Sequence, residues 1–392
     1  MKQDIQFNAI LGPAGSGKSY YINQLIEQDP TCLYRTATTG AAALLGSGRT
    51  INSSLGFFEI KDLIKKVDSG EINKNLKYIA KTHKGICIDE ISMLDALKLD
   101  LIVQALDKYN SDISNKPLNL TLVGDFIQLP NVVTGKETYK VLPAFESLSW
   151  SRFDITKLST IHRQSNQEFI KLLEDIRKGE SKACADWLET NGNFHNTIDP
   201  NVDGITIFSR NNDVHNYNYD KLKALKGKFV KYQCYTQGTP PPLSSKIPKE
   251  LFLKPNCKVI IMVNNLKEGY ANGSIGRVTK FAKDSVKVLL KNGNEVDIEY
   301  KTIPNETPTG ITGYFSYLPL RPAYASTVHG CQGLTIDSIL QCKLGDSFLS
   351  TLHGGIYVIM SRVVKPELLK FVGSKEQFIR CNYIDPNYLK WA

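Results

Sequence analysis

The stretch "GPAGSGKS", residues 12–19, constrains this chain more than any other feature. It matches G-x-x-x-x-G-K-[ST] and has the flanks that pattern needs. "FNAIL" (7–11) is a short apolar strand ending where the loop begins, and "SYYINQLIEQ" (19–28) follows with helical spacing. Strand, glycine-rich loop and helix make a cradle, because glycines let backbone N–H groups converge on phosphate oxygens and the helix N-terminus adds positive potential. Gly12, Pro13, Ala14, Gly15, Ser16 and Gly17 form the cradle; Lys18 reaches the β- and γ-phosphates, and Ser19 supplies a hydroxyl ligand to Mg²⁺. A chain built around this unit is an α/β protein with a parallel sheet that binds ATP.

Two further strands carry the polar groups such a site requires. "KGICIDE" (84–90) places Ile86, Cys87 and Ile88 in a buried strand with Asp89 and Glu90 at its C-terminal end. Asp89 holds Mg²⁺ through water, and Glu90 polarises the attacking water. "LNLTLVGD" (118–125) leads into "FIQLP", so Gln128 lies at the sheet edge where ligands of open α/β sheets gather. An amide there orients the lytic water or senses the γ-phosphate; the alternative is an ordinary loop glutamine.

With 392 residues, 42% of them hydrophobic, the chain divides into two or three domains. No apolar run approaches the ~20 residues that span a bilayer, and "MKQDIQFNAI" lacks the apolar core of a signal peptide. The 8 cysteines are scattered singly with no C-x-x-C, which argues against a disulfide framework or zinc ribbon and for a reduced, cytoplasmic setting. A net charge of +9, from 48 Lys plus Arg against 39 Asp plus Glu, points to an anionic partner such as nucleic acid.

Several longer stretches are more particular. "TATTGAAALLGSGRTINSSLGF" (36–57), "DEISML" (89–94), "GDFIQLPNV" (124–132) and "HRQSNQEFIKLLEDIRKGE" (162–180) come in that order. "LKPNCKVIIMVNN" (253–265), "ANGSIGRV" (271–278), "LPLRPAYASTVHGCQGLTID" (318–337) and "GGIYVIMSRV" (354–363) follow. Together they resemble the superfamily 1 helicases of the Pif, RecD and Dda group, the Pif branch most closely. The resemblance implies two RecA-like domains with parallel sheets and ATP between them: residues 1–56 with 82–155, and 156–276 with 318–392. It also implies a small wedge insertion at 57–81 and an SH3-like β insertion at 277–317, and the local patterns agree. "FFEIKDLIKKVDSGEINKNLKYIAK" is helical and lysine-rich, whereas "RVTKF", "SVKVLL" and "EVDIEY" alternate as short strands.

Hydrolysis between domains needs positive charge from the far side. Arg163 in "IHRQS" and Arg362 in "VIMSRV" resemble the family's finger positions. Arg163 precedes a helix whose start reads as a Ser165–Glu168 capping box and whose buried face is Phe169, Leu172, Leu173 and Ile176. In "TVHGCQGLT" (327–335), Cys331 lies two residues from His329, yet nothing else recruits a thiolate or completes a metal site. The resemblance makes Thr327 and His329 contacts to single-stranded DNA and places Gln332 and Gly333 against the nucleotide. Thr38, Thr39, Gly40, Asn52 and Ser53 fall in the family's other DNA-facing stretch. Phe57 and Phe58 either stack bases or anchor the insertion, and lysines 61, 65, 66, 74, 77, 81 and 84 either track phosphates or form a solvated face.

The chain departs from the family pattern in three places. Gly330 and Cys331 stand where relatives carry lysine and serine, removing a phosphate-directed cation. Asn52 replaces a histidine. Eleven residues precede Gly12, too few for the upstream helix whose glutamine contacts adenine in relatives, and neither Gln3 nor Gln6 is assigned that role, which leaves nucleotide selectivity open to relaxation. The family implies an ATP- and Mg²⁺-dependent helicase moving 5′-to-3′ on single-stranded DNA. It would act as a monomer on forked or tailed duplex in replication, recombination or repair, with proteins of those processes as partners, and the compact size suggests a phage or mobile element. A single-strand-stimulated ATPase that remodels protein–DNA complexes without unwinding stays open, because wedge quality lies in the shape of residues 57–81. A small-molecule phosphotransferase would need an acceptor pocket and lid, and neither the second half nor the β insertion.

Overall fold

The computed structural model describes residues 5–45, 49–112, 114–131, 137, 139–241, 247–263, 265–270 and 272–392; Gln3 lies outside them. The first domain opens with β1 (Phe7–Leu11), the glycine loop, α1 (Lys18–Gln28), β2 (Tyr34–Ala37), α2 (Gly40–Leu45) and α3 (Ile51–Leu55). It continues through α4 (Ile60–Ser69), α5 (Asn73–Ala80), β3 (Gly85–Asp89), α6 (Ala96–Ser111), β4 (Asn119–Gly124) and β5 (Asp154–Lys157). The strands form one sheet in the order β2-β3-β4-β1-β5, every neighbouring pair parallel. Parallel pairing brings the C-terminal ends of β1, β3 and β4 to one edge, so the cradle, Asp89 and Asp125 converge without being close in sequence.

The 57–81 segment is cemented to this domain. Leu63, Val67, Leu76 and Ile79 are buried in the main core together with Leu99, Ile102 and Leu106 of α6. Its lysines divide. Those at 61, 65, 74, 77 and 81 are exposed, but Lys66 Nζ bonds the Gly56 carbonyl and Asp62, and Lys84 pairs with Asp29 at 2.7 Å.

The second half runs through α7 (Gln167–Arg177), α8 (Lys182–Thr190), β6 (Phe194–His195), β7 (Gly204–Phe208) and α9 (Asn211–Ala224). The expected apolar face of α7 is buried, but its cap sits one residue later. Asn166, not Ser165, is the N-cap, its side chain accepting from the N–H of Phe169 at 3.0 Å. Either residue type can cap; the frame that buries the α7 face decides which one does.

The chain then leaves for an antiparallel unit: β8 (Val230–Gln233), β9 (Tyr235–Gly238), β10 (Glu250–Leu253), β11 (Lys258–Ile261), β12 (Ile275–Phe281), β13 (Ser285–Leu290), β14 (Glu295–Glu299), β15 (Lys301–Thr307), β16 (Gly310–Tyr317) and β17 (Leu320–Pro322). The unit draws on more chain than residues 277–317. β11 and β17 pair into the β14-β13-β12-β11-β17 sheet, because short strands need backbone partners on both edges and an apolar face to bury. Val259, Ile261, Val278, Val286, Val288 and Ile298 make that face. β15, β16 and β9 form a separate sheet, whose Ile303, Phe315 and Tyr317 pack on Ala37 and Ala43 of the first domain.

The chain returns through β18 (Ala325–Thr327), β19 (Ile339–Lys343), α10 (Ser347–Thr351), α11 (Gly355–Arg362), β20 (Leu369–Val372) and α12 (Lys375–Cys381). β18-β7-β19-β20-β6 is a second all-parallel sheet. Among the described residues, no helix is long and apolar enough to cross a membrane.

Candidate active site

The glycine loop is shaped by left-handed backbone at Gly15 and Gly17, both at φ +82°, a conformation side chains other than glycine's rarely tolerate. The chain after β5 wraps this loop closely: a Cβ on Gly12 would stand 2.5 Å from the Leu158 carbonyl oxygen, and one on Gly15 2.7 Å from Arg163 Cβ. Lys18 Nζ donates to the carbonyls of Gly12 and Pro13 at 2.6 and 2.8 Å, and burial lowers its pKa. Ser16 is buried, and among the described residues its hydroxyl has no hydrogen-bond partner. An unpaired polar atom under converging backbone amides suits a phosphate oxygen.

The loop floors a cleft of about 570 Å³ lined by Ser19, Asp89, Glu90 and Gln128 from the first domain, and by Arg163, Gly333 and Arg362 from the second half. Glu90 follows β3 with left-handed backbone (φ 59°, ψ 51°), a strained conformation for a non-glycine residue. Burial and the neighbouring Asp89 push its carboxyl up to about 7, while Lys18 and Arg362 pull the other way. Asp89 Oδ1 accepts the Glu90 N–H at 2.9 Å, and its Oδ2 accepts Arg35 Nη2 at 2.9 Å. The Ser19 hydroxyl and the Asp89 carboxylate are hard oxygen donors of the kind Mg²⁺ takes.

Gln128 is buried, so the loop-glutamine alternative does not apply; its Nε2 donates to Asp125 Oδ2 at 3.3 Å. Asp125 also pairs with buried Arg177 at 2.8 Å and accepts Tyr357 Oη–H at 3.1 Å. Tyr357 Oη in turn accepts the N–H of Ala14, in the glycine loop itself, at 2.7 Å. A helix of the second domain thus holds the phosphate cradle through one tyrosine.

Both arginines flank the cleft. Arg163 Nη1 donates to the Ser361 carbonyl at 2.8 Å, and burial, then the nearby Arg362, brings its pKa down to about 9. Arg362 is buried at the end of α11, its Nη2 donating to Ser361 Oγ at 2.7 Å and its Nε to the Val358 carbonyl at 3.0 Å. The geometry corrects one expectation: Arg163 does not arrive from a remote face but lies along the glycine loop, where the His162 N–H donates to the Gly15 carbonyl at 2.8 Å.

The segment 327–335 reaches the same cleft. Gln332 Nε2 donates to Glu90 Oε2 at 3.2 Å, and Gly333 lines the cleft. Thr327 ends β18, its Oγ1 accepting the Gly330 N–H at 3.0 Å. His329 is half-buried, with burial lowering its pKa. Cys331 is fully buried, its Sγ 3.1 Å from the Val328 carbonyl, and burial raises its thiol to about 11. A nucleophilic thiol requires the opposite shift.

Of the other DNA-facing candidates, Thr38 is tied to the end of β3: its Oγ1 donates to the Glu90 carbonyl at 2.9 Å and its N–H to the Asp89 carbonyl at 3.1 Å. Thr39 Oγ1 accepts the Ala42 N–H at 3.2 Å at the start of α2, where Gly40 is the first residue. Asn52 stays half-exposed on α3. The Ser53 hydroxyl is committed to a capping box with Thr50. One expectation, base stacking by Phe57, is overturned. Phe57 is only 2% exposed, inside the core, whereas Phe58 is 81% exposed; the helix that follows turns the first ring inward, so only Phe58 can meet a base.

Sequence reasoning missed Arg35, Asn23 and Tyr357. The motif stretch was read from Thr36, one residue past Arg35, and no spacing rule connects Tyr357 with Ala14.

The "PIF1-like helicase" family model matches residues 2–189. The "ATP-dependent DNA helicase Pif1" of Bdellovibrio bacteriovorus is 30% identical over 97% of this chain and 86% of its own length. Bacteroides sp. Pif1 in complex with ADP-AlF4 superposes with a TM-score of 0.78 at 27% identity, over 99% of this chain and 92% of that one. A structure of DNA unwinding at forked duplex by two coordinating Pif1 helicases superposes with a TM-score of 0.63 at 27% identity, over 98% of this chain and 91% of that one.

Proposed function

The chain belongs to the PIF1-like helicase family, and from that premise we propose that it travels 5′-to-3′ along one DNA strand, as a monomer, separating duplex ahead of it. It is an ATP-dependent DNA helicase with two RecA-like domains. The domains we assign are the two parallel sheets with their helices, the antiparallel unit carried between β7 and β18, and the 57–81 segment as the wedge. All 8 cysteines are free thiols, which suits work in the cytoplasm.

ATP sits in the cleft with its phosphates on the glycine loop and Lys18. Ser19 and Asp89 would hold Mg²⁺, which would supply charge neutralisation at those phosphates. Glu90, nearly balanced between its two protonation states at neutral pH, takes the proton of the attacking water. Gln128 positions that water beside Asp125. Arg362 presents a cationic group from the second half and Arg163 one from beside the glycine loop, so the part of the charge stabilisation that Arg362 supplies depends on how the halves meet. The observation carrying the coupling is the bond from Gln332 to Glu90: the segment that ends in the base's partner begins with Thr327 and His329, which meet the strand. Moving that segment with the DNA moves the partner of the catalytic carboxylate.

A forked duplex with only a 5′ tail, compared with one bearing only a 3′ tail, tests this in the presence of ATP. Strand separation confined to the 5′-tailed fork supports the reading. Unwinding of the 3′-tailed fork overturns the polarity, and protein displacement without strand separation on either fork replaces unwinding with remodelling. Lys18→Ala is expected to abolish turnover while single-strand binding persists.

A further inference from the structure

Arg35 lies on β2, outside every residue assigned above to hydrolysis, yet its side chain lines the nucleotide cleft. Its Nη2 pairs with Asp89 Oδ2 at 2.9 Å and its Nη1 donates to Asn23 Oδ1, on the helix that follows the glycine loop, at 2.9 Å. The guanidinium is therefore anchored between the phosphate-binding helix and the carboxylate expected to serve the metal. Arg35 and Asp89 are both mostly buried, at 18% and 19% side-chain exposure, where a charge pair is weakly screened.

A cation at that distance offsets the negative charge that would attract a divalent ion to Asp89. The planar guanidinium has five N–H donors, and the two bonds to Asn23 and Asp89 engage two of them. Arginine is also the side chain whose fork best matches phosphate oxygens. We propose that Arg35 is a resident counter-cation of Asp89 that competes with Mg²⁺ for the carboxylate and serves the nucleotide's phosphates in its place, so that nucleotide stays bound when metal is scarce. The inference rests on the reading of the cleft as the nucleotide site. It makes Arg35 a positioning residue for metal and phosphate, not a group acting on the reacting atoms.

The test is binding of a fluorescent ADP analogue to the full chain, in excess EDTA and at saturating MgCl₂, for the wild type, Arg35→Met and Arg35→Lys. With Arg35→Met, affinity in EDTA is expected to fall roughly tenfold, the scale of one charge-assisted hydrogen bond. Affinity at saturating Mg²⁺ should stay within about threefold of wild type, and the Mg²⁺ concentration at half-saturation should drop, because Asp89 no longer shares its charge. Arg35→Lys keeps the charge without the fork and should fall between the two; it also carries the comparison if thermal melting shows Arg35→Met to be misfolded. Equal losses with and without metal would mean a merely structural role and overturn the proposal. So would unchanged affinity in EDTA. A wild type that fails to bind the analogue even with Mg²⁺ would overturn the nucleotide-site reading as well, and is thereby distinguished from failure of the Arg35 proposal alone.

Discussion

Gln332 Nε2 meets Glu90 Oε2 at 3.2 Å across the cleft, joining a turn of the second domain to the strained end of β3 in the first. The contact connects the 327–335 segment to the carboxylate we propose as the base.

Gln332→Ala should therefore uncouple DNA from hydrolysis and leave binding intact. DNA-stimulated ATP hydrolysis is expected to fall roughly tenfold, the effect of one hydrogen bond to a charged group. Nucleotide affinity and single-strand affinity, measured separately, should hold. Loss of nucleotide affinity instead would recast Gln332 as a ligand-binding residue.

With Glu90 as the base, the free enzyme is expected to be pH-sensitive. Burial and Asp89 disfavour its anion, so the base is protonated below its raised pKa of about 7 and ionised above it. kcat/KM for ATP, which reports the free enzyme, should rise through neutral pH and level off on the alkaline side. A midpoint in the ordinary carboxylate range would remove Glu90 from the role of base. Glu90→Gln should give a low, flat profile.

Phe57 and Phe58 separate stability from DNA binding at adjacent positions. Phe57 is buried and Phe58 exposed. Phe57→Ala should cost about 3–5 kcal/mol of stability in a urea titration, as truncation of a core aromatic does. Phe58→Ala should leave the midpoint in place while weakening single-strand binding by about 1–3 kcal/mol, the scale of one base stack. Equal melting shifts for the two variants would refute the assignment.

Gly354 lies where the second domain packs tightly on the first. It caps α11 at φ +67°, and a Cβ there would stand 2.0 Å from the Ile127 carbonyl oxygen, next to Gln128. Gly354→Ala should lower the melting temperature and DNA-stimulated hydrolysis together. Gly293→Ala is the control: φ is +87° but nothing lies within 4 Å of the added Cβ, so it bears only the ~1–2 kcal/mol left-handed penalty. Equal effects at both sites would mean that backbone strain, not the interdomain contact, accounts for the loss.

The cradle and the acidic end of β3 could be read from the chain because each depends on residues close in sequence, whereas the second parallel sheet followed only from the family resemblance. The glycine spacing, apolar strand runs and polar residue at each strand end are local patterns, and parallel pairing carries them to one edge. Arg163, Arg362 and Gln332 were identified by motif, and the folded chain brings all three to the cleft.

What the tertiary structure decided is which neighbours those residues have. Packing into the first domain's core turns Phe57 inward and leaves Phe58 out. Capping frames moved for the same reason at Asn166, and Ser53 was claimed by Thr50. The bond from Ala14 to Tyr357 crosses 343 residues, and the Arg35–Asp89 pair crosses 54. Local periodicity encodes which face a segment buries; it carries no information about which distant polar group will complete a hydrogen bond, because that choice is made only when the domains pack.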